Sequence, residues 1–298
     1  MSPRLSRRSA VLAAALAGAG IVIADRVHKV RRVPRELRVP FAVVPLPITA
    51  GSLRLVRAII GRLLYSHVPG VRVTERMIPG PGGMPPVRIV VAERPDRPNG
   101  SPALLWIHGG GFVIGSGGAV PATGPRLSHE LNVLVVGVDY RLAPEHPAPA
   151  ALDDCAAALL WLHDHALELG IDPGRIGIGG ESAGGGLAAS LAQRARDEVT
   201  VPVAFQALVY PMLDDRTVLC EPPPGVGELV WTPEANRFGW AAYLGAEPGA
   251  DRCRSTRSPH AGLPLRACPP LGSAWAIATS STPRTLRTPS GCARRAWR

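Results

Sequence analysis

The stretch Gly180-Glu181-Ser182-Ala183-Gly184 joins two different kinds of sequence. Residues 175–179 before it are short and apolar enough for a buried strand, and residues 185–192 after it are small and helix-prone. Strand, tight turn and helix is the setting in which G-x-S-x-G lifts a serine hydroxyl above a sheet. A plain glycine-rich turn would give the same letters, but the flanking glycines also suit a turn in which a Cβ would clash. We therefore predict Ser182 as a nucleophile, with the helix N-terminus aimed at developing negative charge.

A second glycine motif precedes the serine. His108-Gly109-Gly110-Gly111-Phe112 follows the apolar strand-like run Ala103–Ile107. Glycine lets backbone N–H groups approach a substrate oxygen closely, so the amides of Gly109, Gly110 and Ala183 are predicted to form an oxyanion hole. Such a donor is worth about 3–4 kcal/mol of transition-state stabilisation. His108 opens the loop, and we expect it to orient the loop by hydrogen bonding instead of acting as a base.

Together these motifs resemble the hormone-sensitive-lipase-like family of α/β-hydrolases, in its bacterial esterase and lipase branch. The resemblance covers roughly residues 70–250 and is carried by five stretches: His108–Phe112, Val138–Pro147, Asp153-Asp154, Gly180–Gly185 and Tyr210–Asp214. It implies an α/β-hydrolase fold, with a mostly parallel sheet, helices on both faces and an N-terminal cap region. It also implies hydrolysis of a carboxylic ester with an apolar acyl group, through an acyl-enzyme and without metal or cofactor. Glu181 is usual in this family, and we expect it to hydrogen-bond beneath the serine.

The remaining sequence supports alternating strands and helices. Residues 71–78 and 87–92 read as a hairpin, 133–138 and 204–210 as strands, and 125–131, 148–169 and 231–244 as helices. Four regions follow: a basic and apolar segment at 1–32, a cap-like helical region at 33–70, an α/β-hydrolase core at 71–251, and an aberrant Arg/Ser/Pro-rich tail at 252–298, which we predict to be disordered. For 33–70 a helix packed simply on the sheet stays an alternative to a cap.

The charge distribution and the cysteine spacing bear on whether the protein binds nucleic acids or metal ions. The formal net charge is +10, but from Asp251 to the last residue nine arginines stand against one acid, and no interleaved aromatic residues or nucleic-acid motif accompany them. We therefore predict no nucleic-acid partner. The five cysteines show neither C-x-x-C nor zinc spacing, so no metal site is predicted. Oligomeric state is left open.

The first 32 residues allow two interpretations. Arginines at 4, 7 and 8 precede an apolar run from Ala10 to Ala24, which is short for a spanning helix. Further basic residues follow it directly, and no convincing cleavage site separates them. Export or a membrane anchor is one interpretation and an amphipathic N-terminal helix is the other, so the location is left as cytoplasmic or envelope-associated, with membrane contact through residues 1–32.

The tail lacks the partners that the serine needs. In this fold the acid and then the histidine follow the serine along the chain. After Ser182 the only histidine is His260, and Asp251 lies too close to it for the intervening strand and helix. No triad acid or histidine is therefore assigned, and the last one or two strands are expected to be missing, which would expose a sheet edge.

A change of reading frame near Asp251 would explain this tail. Regrouping each codon's third base with the next two lets residues 266–295 read as G-L-P-A-P-W-I-G-V-G-D-R-D-L-F-H-A-E-D-L-A-Y-A-E-R-L-R-A-A, which restores a strand, an acid loop and a helix. The alternative is a divergent tail. The functional prediction is thus an esterase or lipase that is inactive or impaired as written. A non-catalytic hydrolase-like binding protein for small molecules, or an amidase or transacylase on the same scaffold, stay as alternatives.

Overall fold

The computed structural model describes residues 22–35, 38, 47–63, 68–115, 123–198, 200–249 and 277–279. Its centre is one twisted sheet in the spatial order β1-β2-β4-β3-β5-β6-β7. The strands are β1 (Arg72–Ile78), β2 (Val87–Glu93), β3 (Ser101–Ile107), β4 (Leu134–Asp139), β5 (Ile171–Glu181), β6 (Phe205–Val209) and β7 (Ile277–Thr279). Strands β4, β3, β5 and β6 pair in parallel, whereas β1 with β2, β2 with β4, and β6 with β7 pair antiparallel.

Among the described residues, two α-helices precede β1, and four others each follow one of the strands β3 to β6. They are α1 (residues 22–31), α2 (Leu53–Leu63), α3 (Thr123–Leu131), α4 (Ala150–Asp164), α5 (Ala183–Glu198) and α6 (Pro233–Leu244). Helix α6 shows how local sequence sets the bounds: the Thr232 side chain accepts a hydrogen bond from the Ala235 N–H at its start, and Gly245 ends it with φ 63°.

The apolar core lies on both faces of the sheet because strand side chains alternate between faces. From β3, Ala103, Leu105 and Ile107 join the main core with buried residues of α4 and α5. Leu104 and Trp106 face the other way, with Val135 of β4 and Leu127 of α3. Near-continuous apolar strands covered on both faces are the pattern expected for the parallel centre of an α/β sheet.

A smaller apolar core joins helix α2 to α6 and to the segment that follows the glycine loop, residues 108–112. Leu53 and Val56 of α2 are buried with Val113 and Ile114, which follow the glycine loop, and with Ala235 of α6. Helix α2 therefore packs on the loop that carries the predicted oxyanion donors.

The predicted elements are found, with shifts at their ends. The hairpin of β1 and β2 pairs in register from Arg72–Glu93 to Ile78–Val87. The helix expected over 148–169 is shorter in the structure. It begins after Pro149, and its α-helical hydrogen bonding ends at Asp164. Strand β5, which leads to the serine turn, was expected at residues 175–179 but begins earlier, at Ile171. Its pairing with β3 shifts register between Ser101 and Ala103.

The tail departs from expectation at one point. A disordered tail was predicted over 252–298, but Ile277–Thr279 form β7 and pair with Phe205–Ala207 of β6. The physical reason is that an unpaired edge of β6 offers backbone donors and acceptors, which an extended segment rich in β-formers can satisfy. Asp251 and His260 lie outside the described residues.

Candidate functional site

The predicted nucleophile lies at the turn between β5 and α5. Ser182 has φ 54°, a left-handed backbone conformation that non-glycine residues adopt at a cost of about 1–3 kcal/mol. The turn is held by neighbours: the Ser182 N–H donates to the Val209 carbonyl at 2.9 Å, and the Ser182 carbonyl accepts from Met212 at 2.9 Å and Gly186 at 3.1 Å. The strand-turn-helix setting predicted for Ser182 is therefore present.

Glycines are required around this turn because other backbone segments come very close. A Cβ on Gly184 would lie 2.6 Å from the Ile107 carbonyl carbon, and one on Gly180 would lie 2.7 Å from the Ile107 oxygen. In the same first turn of α5, a Cβ on Gly185 would lie 2.9 Å from the Pro211 side chain. Real Cβ contacts this short do not occur, so any larger residue would push the serine turn away from β3.

The glycine loop and the serine turn are in direct contact. A Cβ built on Gly109 would lie 3.3 Å from the Ser182 Cβ, so the backbone of Gly109 passes beside the serine. Gly110 has φ 121°, and its carbonyl accepts hydrogen bonds from Val113 and Ile114 that close the loop into a turn. The structure thus brings Gly109 next to Ser182, with Gly110 and Ala183 as their neighbours along the chain.

Gly111 lies at the other side of the loop, away from the serine turn. A Cβ there would overlap the Trp231 ring, and the Gly111 carbonyl lies beside Gly239 of α6. Phe112, the next residue, stacks on Tyr243 of α6 with ring centroids 4.0 Å apart. Helix α6 and Trp231 therefore form the outer support of the loop.

His108 is buried at the base of the glycine loop. Its Nδ1–H donates to the Gly109 carbonyl at 2.7 Å, and its ring stacks on Tyr140 at 4.2 Å. Its Nε2 is buried without a hydrogen-bond partner, and burial lowers the pKa of the imidazole below its ordinary value. Burial thus favours the neutral imidazole, and the Nδ1–H bond joins the ring to the glycine loop.

Glu181 lies next to the serine, and burial raises the pKa of its carboxyl. The Tyr210 hydroxyl, 3.4 Å away, and a backbone hydrogen bond from Gly109 act in the opposite direction. The carboxylate in turn contributes, after burial of the phenol, to raising the pKa of Tyr210 to about 12. The backbone of Gly109, one of three predicted oxyanion donors, passes close to this side chain: a Cβ there would lie 3.3 Å from the Glu181 Cγ.

Arg57 of α2 ties three segments together behind the loop. Its Nε donates to the Val113 carbonyl at 2.7 Å and its Nη2 to the Ala143 carbonyl at 2.8 Å. Both Nη atoms also bond the Glu145 carboxylate, at 2.8 and 2.9 Å, and this side-chain pairing lowers the pKa of Glu145. Sequence reasoning did not single out Arg57, because its partners are far away in the chain.

Other charged residues of the resemblance serve the scaffold. Arg141 makes a two-pronged contact with Asp154, which is 1% exposed, and the Arg141 N–H bonds the same carboxylate at 2.8 Å. Asp139 pairs with Arg88 of β2 at 2.9 Å. These pairs fix the ends of the segment 139–154 that follows β4.

A serine hydrolase also needs an imidazole that accepts the proton of the serine hydroxyl. Among the hydrogen bonds of the described residues, none joins an imidazole to the Ser182 hydroxyl. The same part of the chain contains no cluster of three metal-ligating side chains. None of its helices is long and apolar enough to cross a bilayer.

Comparison with known proteins agrees with this geometry. Residues 104–276 match a family model described as alpha/beta hydrolase fold. Esterase LipI of Mycobacterium tuberculosis is 45% identical over 144 residues, which are 48% of this chain and 45% of the relative. Ethyl acetate hydrolase of Pseudomonas putida is 36% identical over 183 residues, 59% of this chain and 55% of the relative.

Solved structures extend the likeness to three dimensions. The structure titled Bacterial Heroin Esterase superposes with a TM-score of 0.64 at 39% identity, covering 76% of this chain and 71% of that one. The match to LipI, by contrast, spans less than half of that relative's length.

Proposed function

This chain belongs to the α/β-hydrolase fold family, in its hormone-sensitive-lipase-like branch, and from that premise we propose that it is built to hydrolyse carboxylic esters with Ser182 as nucleophile. The observation that carries the proposal is the turn at Ser182, with φ 54° and the glycine loop packed against it. A strained serine at the N-terminus of a helix, facing a loop of backbone donors, suits acyl transfer.

The chemistry would proceed in two steps. The Ser182 Oγ attacks the ester carbonyl, and a base passes the serine proton on to the departing alcohol as the acyl-enzyme forms. Water then attacks the acyl-enzyme, releases the carboxylic acid and returns the proton to Ser182. The chain's residues supply the nucleophile and the oxyanion donors without a metal or cofactor.

The oxyanion would be held by Gly110 and Ala183, with Gly109 as a third donor. Ala183 opens α5, where first-turn N–H groups have no intrahelical partner. A Cβ on Gly109 would lie 3.3 Å from the Ser182 Cβ, so its backbone passes next to the proposed nucleophile.

The substrate would be a small ester with an apolar acyl group. Val113 and Ile114 beside the loop are buried, and Ile60, Trp231 and Phe238 pack around them from the α2 and α6 side. Residues 33–70 would act as a cap through this apolar contact. A relative whose name specifies ethyl acetate supports a short ester as the first substrate to assay.

Activity of the chain as written would be impaired, and a frame change near Asp251 would be the cause. After Ser182 the sequence offers only His260 as an imidazole. Hydrolases that lose their triad keep roughly 10³–10⁴-fold catalysis over water when the rest of the site is intact. Sequencing the gene across the Asp251 codon tests the frame change directly.

The esterase proposal is tested with two proteins: the chain as written, and the same chain with the frame restored at Asp251. The restored chain should hydrolyse p-nitrophenyl acetate, and Ser182→Ala should abolish this activity. Turnover at ordinary esterase rates by the chain as written would contradict the impairment. A folded but inactive restored chain would contradict the esterase function.

Two other functions would give different results. A binding protein without chemistry would leave Ser182 unlabelled by a fluorophosphonate in the restored chain, whereas an esterase is labelled covalently there. An amidase or transacylase would prefer anilides or an added acyl acceptor over water, which profiling with matched esters and amides would reveal.

A further inference from the structure

Helix α1 is fastened to the segment 225–231 by polar contacts. The Lys29 Nζ lies 3.2 Å from Glu228 and 3.0 Å from Asp25, and the Arg26 Nη1 donates to the Leu229 carbonyl at 2.9 Å. These contacts join parts of the chain about two hundred residues apart, so the two segments form one surface only in the folded protein.

That surface exposes aliphatic side chains from both segments. Val22 and Ile23, one turn before Arg26, are 46% and 45% exposed. Val226 and Val230, on either side of the Glu228 and Leu229 contacts, are 42% and 51% exposed. Helical spacing puts Val22 on the face of α1 that holds Arg26, which contacts Leu229, and exposed apolar side chains from adjoining segments mark interaction sites when they form one patch.

Cationic side chains border the apolar ones. Arg31, Arg32, Arg35 and Arg38 are exposed at the end of α1 and just beyond it. Among the described residues none of these four takes part in an ion pair; Arg38 donates to backbone carbonyls instead, and Arg32 contacts His28 at 3.1 Å. The acids nearby, Asp25 and Glu228, are both engaged by Lys29.

We propose that α1 and residues 225–231 form a docking surface for an anionic lipid bilayer. Valine and isoleucine side chains enter the interface between headgroups and acyl chains, while the guanidinium groups bind lipid phosphates. A nucleic acid fits less well, because single-stranded binders interleave aromatic side chains with the cations and the exposed residues here are aliphatic.

The docking surface adjoins the glycine loop, which carries proposed oxyanion donors. Trp231 ends the segment, and its ring covers Gly111. Lipid docking would therefore bring the proposed site next to the interface, where apolar esters concentrate. This consequence rests on the proposed function, whereas lipid binding itself does not and is tested without any catalytic measurement.

The experiment is co-sedimentation of the full chain with vesicles of phosphatidylcholine, alone or mixed with phosphatidylglycerol. We expect binding to the mixed vesicles that weakens as salt is added. Val226→Ser with Val230→Ser should weaken the partition coefficient at least about tenfold, and Arg31→Gln with Arg32→Gln about fivefold for each charge removed. Leu167→Ser is the matched control: it is 92% exposed but lies before β5, at the end of that strand opposite Ser182, and should bind like the parent.

The Val226 and Val230 pair decides the matter, because it is remote in sequence from the basic N-terminal segment. Binding by this variant at the parental level would overturn the composite surface. Equal binding to both kinds of vesicle, or binding to duplex DNA without binding to vesicles, would also overturn it. If the pair impairs folding, judged by circular dichroism, Val22→Ser with Ile23→Ser replaces it with the same expectation.

Discussion

At the scale of single residues, the serine turn depends on what glycine leaves out. Gly184 lies so close to the Ile107 and His108 carbonyls that no side chain fits, whereas Gly51 has no heavy atom within 4 Å of its would-be Cβ. The two positions are both glycine in the sequence, yet only one is required by packing.

Gly184→Ala should therefore destabilise the protein by about 1–3 kcal/mol or more, since overpacking forces the backbone apart. Gly51→Ala should leave stability nearly unchanged. Urea denaturation of both variants measures the difference. Equal stability of Gly184→Ala and the parent would show that the approach of β3 to the serine turn is looser than described.

His108 makes stability depend on pH. Burial lowers its pKa in the folded protein below the ordinary value, so the unfolded chain binds this proton more readily. Stability is therefore full above about pH 6.5 and falls on acidification, by up to about 1.4 kcal/mol per pH unit until the folded pKa is reached.

The check compares the parent with His108→Asn, which keeps an N–H donor for the Gly109 carbonyl, and with His129→Gln at an exposed site. Urea unfolding at pH 7 and pH 5 should show a smaller loss in His108→Asn than in the other two proteins. The same loss in all three would assign the acid sensitivity to other groups.

At the scale of elements, Arg57 joins α2 to the glycine loop and to the loop after β4. Its bonds to the Val113 and Ala143 carbonyls matter more than its ion pair, because Glu145 is 53% exposed and exposed pairs contribute only about 0–1 kcal/mol. Carbonyls left without a donor cost about 1–3 kcal/mol each.

Arg57→Ala should consequently lower the free energy of unfolding by about 2–4 kcal/mol. Glu145→Gln, which keeps the arginine and its carbonyl bonds, should lower it by less than about 1 kcal/mol. Thermal and urea unfolding give both values. Similar losses in the two variants would mean that the ion pair, not the carbonyl bonding, anchors α2.

At the scale of the whole molecule, protection is uneven across the sheet. Strand β3 and residues 176–180 of β5 lie buried at the centre, whereas every residue of β6 is half-buried and its outer neighbour β7 has three residues. Local opening requires less free energy where few buried contacts must be lost.

Hydrogen exchange followed by mass spectrometry should therefore show a peptide from residues 203–210 exchanging much faster than one from 102–107. A peptide from 176–181 in β5 provides a second central reference. Comparable protection of β6 and β3 would indicate that the β6 edge is covered along its whole length.

The sequence by itself determined the alternation of strands and helices and the serine turn, because apolar runs and glycine spacing are local properties. It also determined the family, since two glycine motifs in one order rarely occur by chance. The sequence did not determine where each element begins and ends: α4 is shorter than the helical pattern, and β5 begins before its apolar run.

Only the tertiary structure decided which distant residues support the site. Arg57 reaches Val113, Trp231 covers Gly111, and the backbone of Gly109 packs against the Glu181 side chain. The strand at Ile277–Thr279 likewise depends on the open edge of β6. Such contacts join segments far apart in the chain, and their partners are chosen by packing geometry that no local pattern encodes.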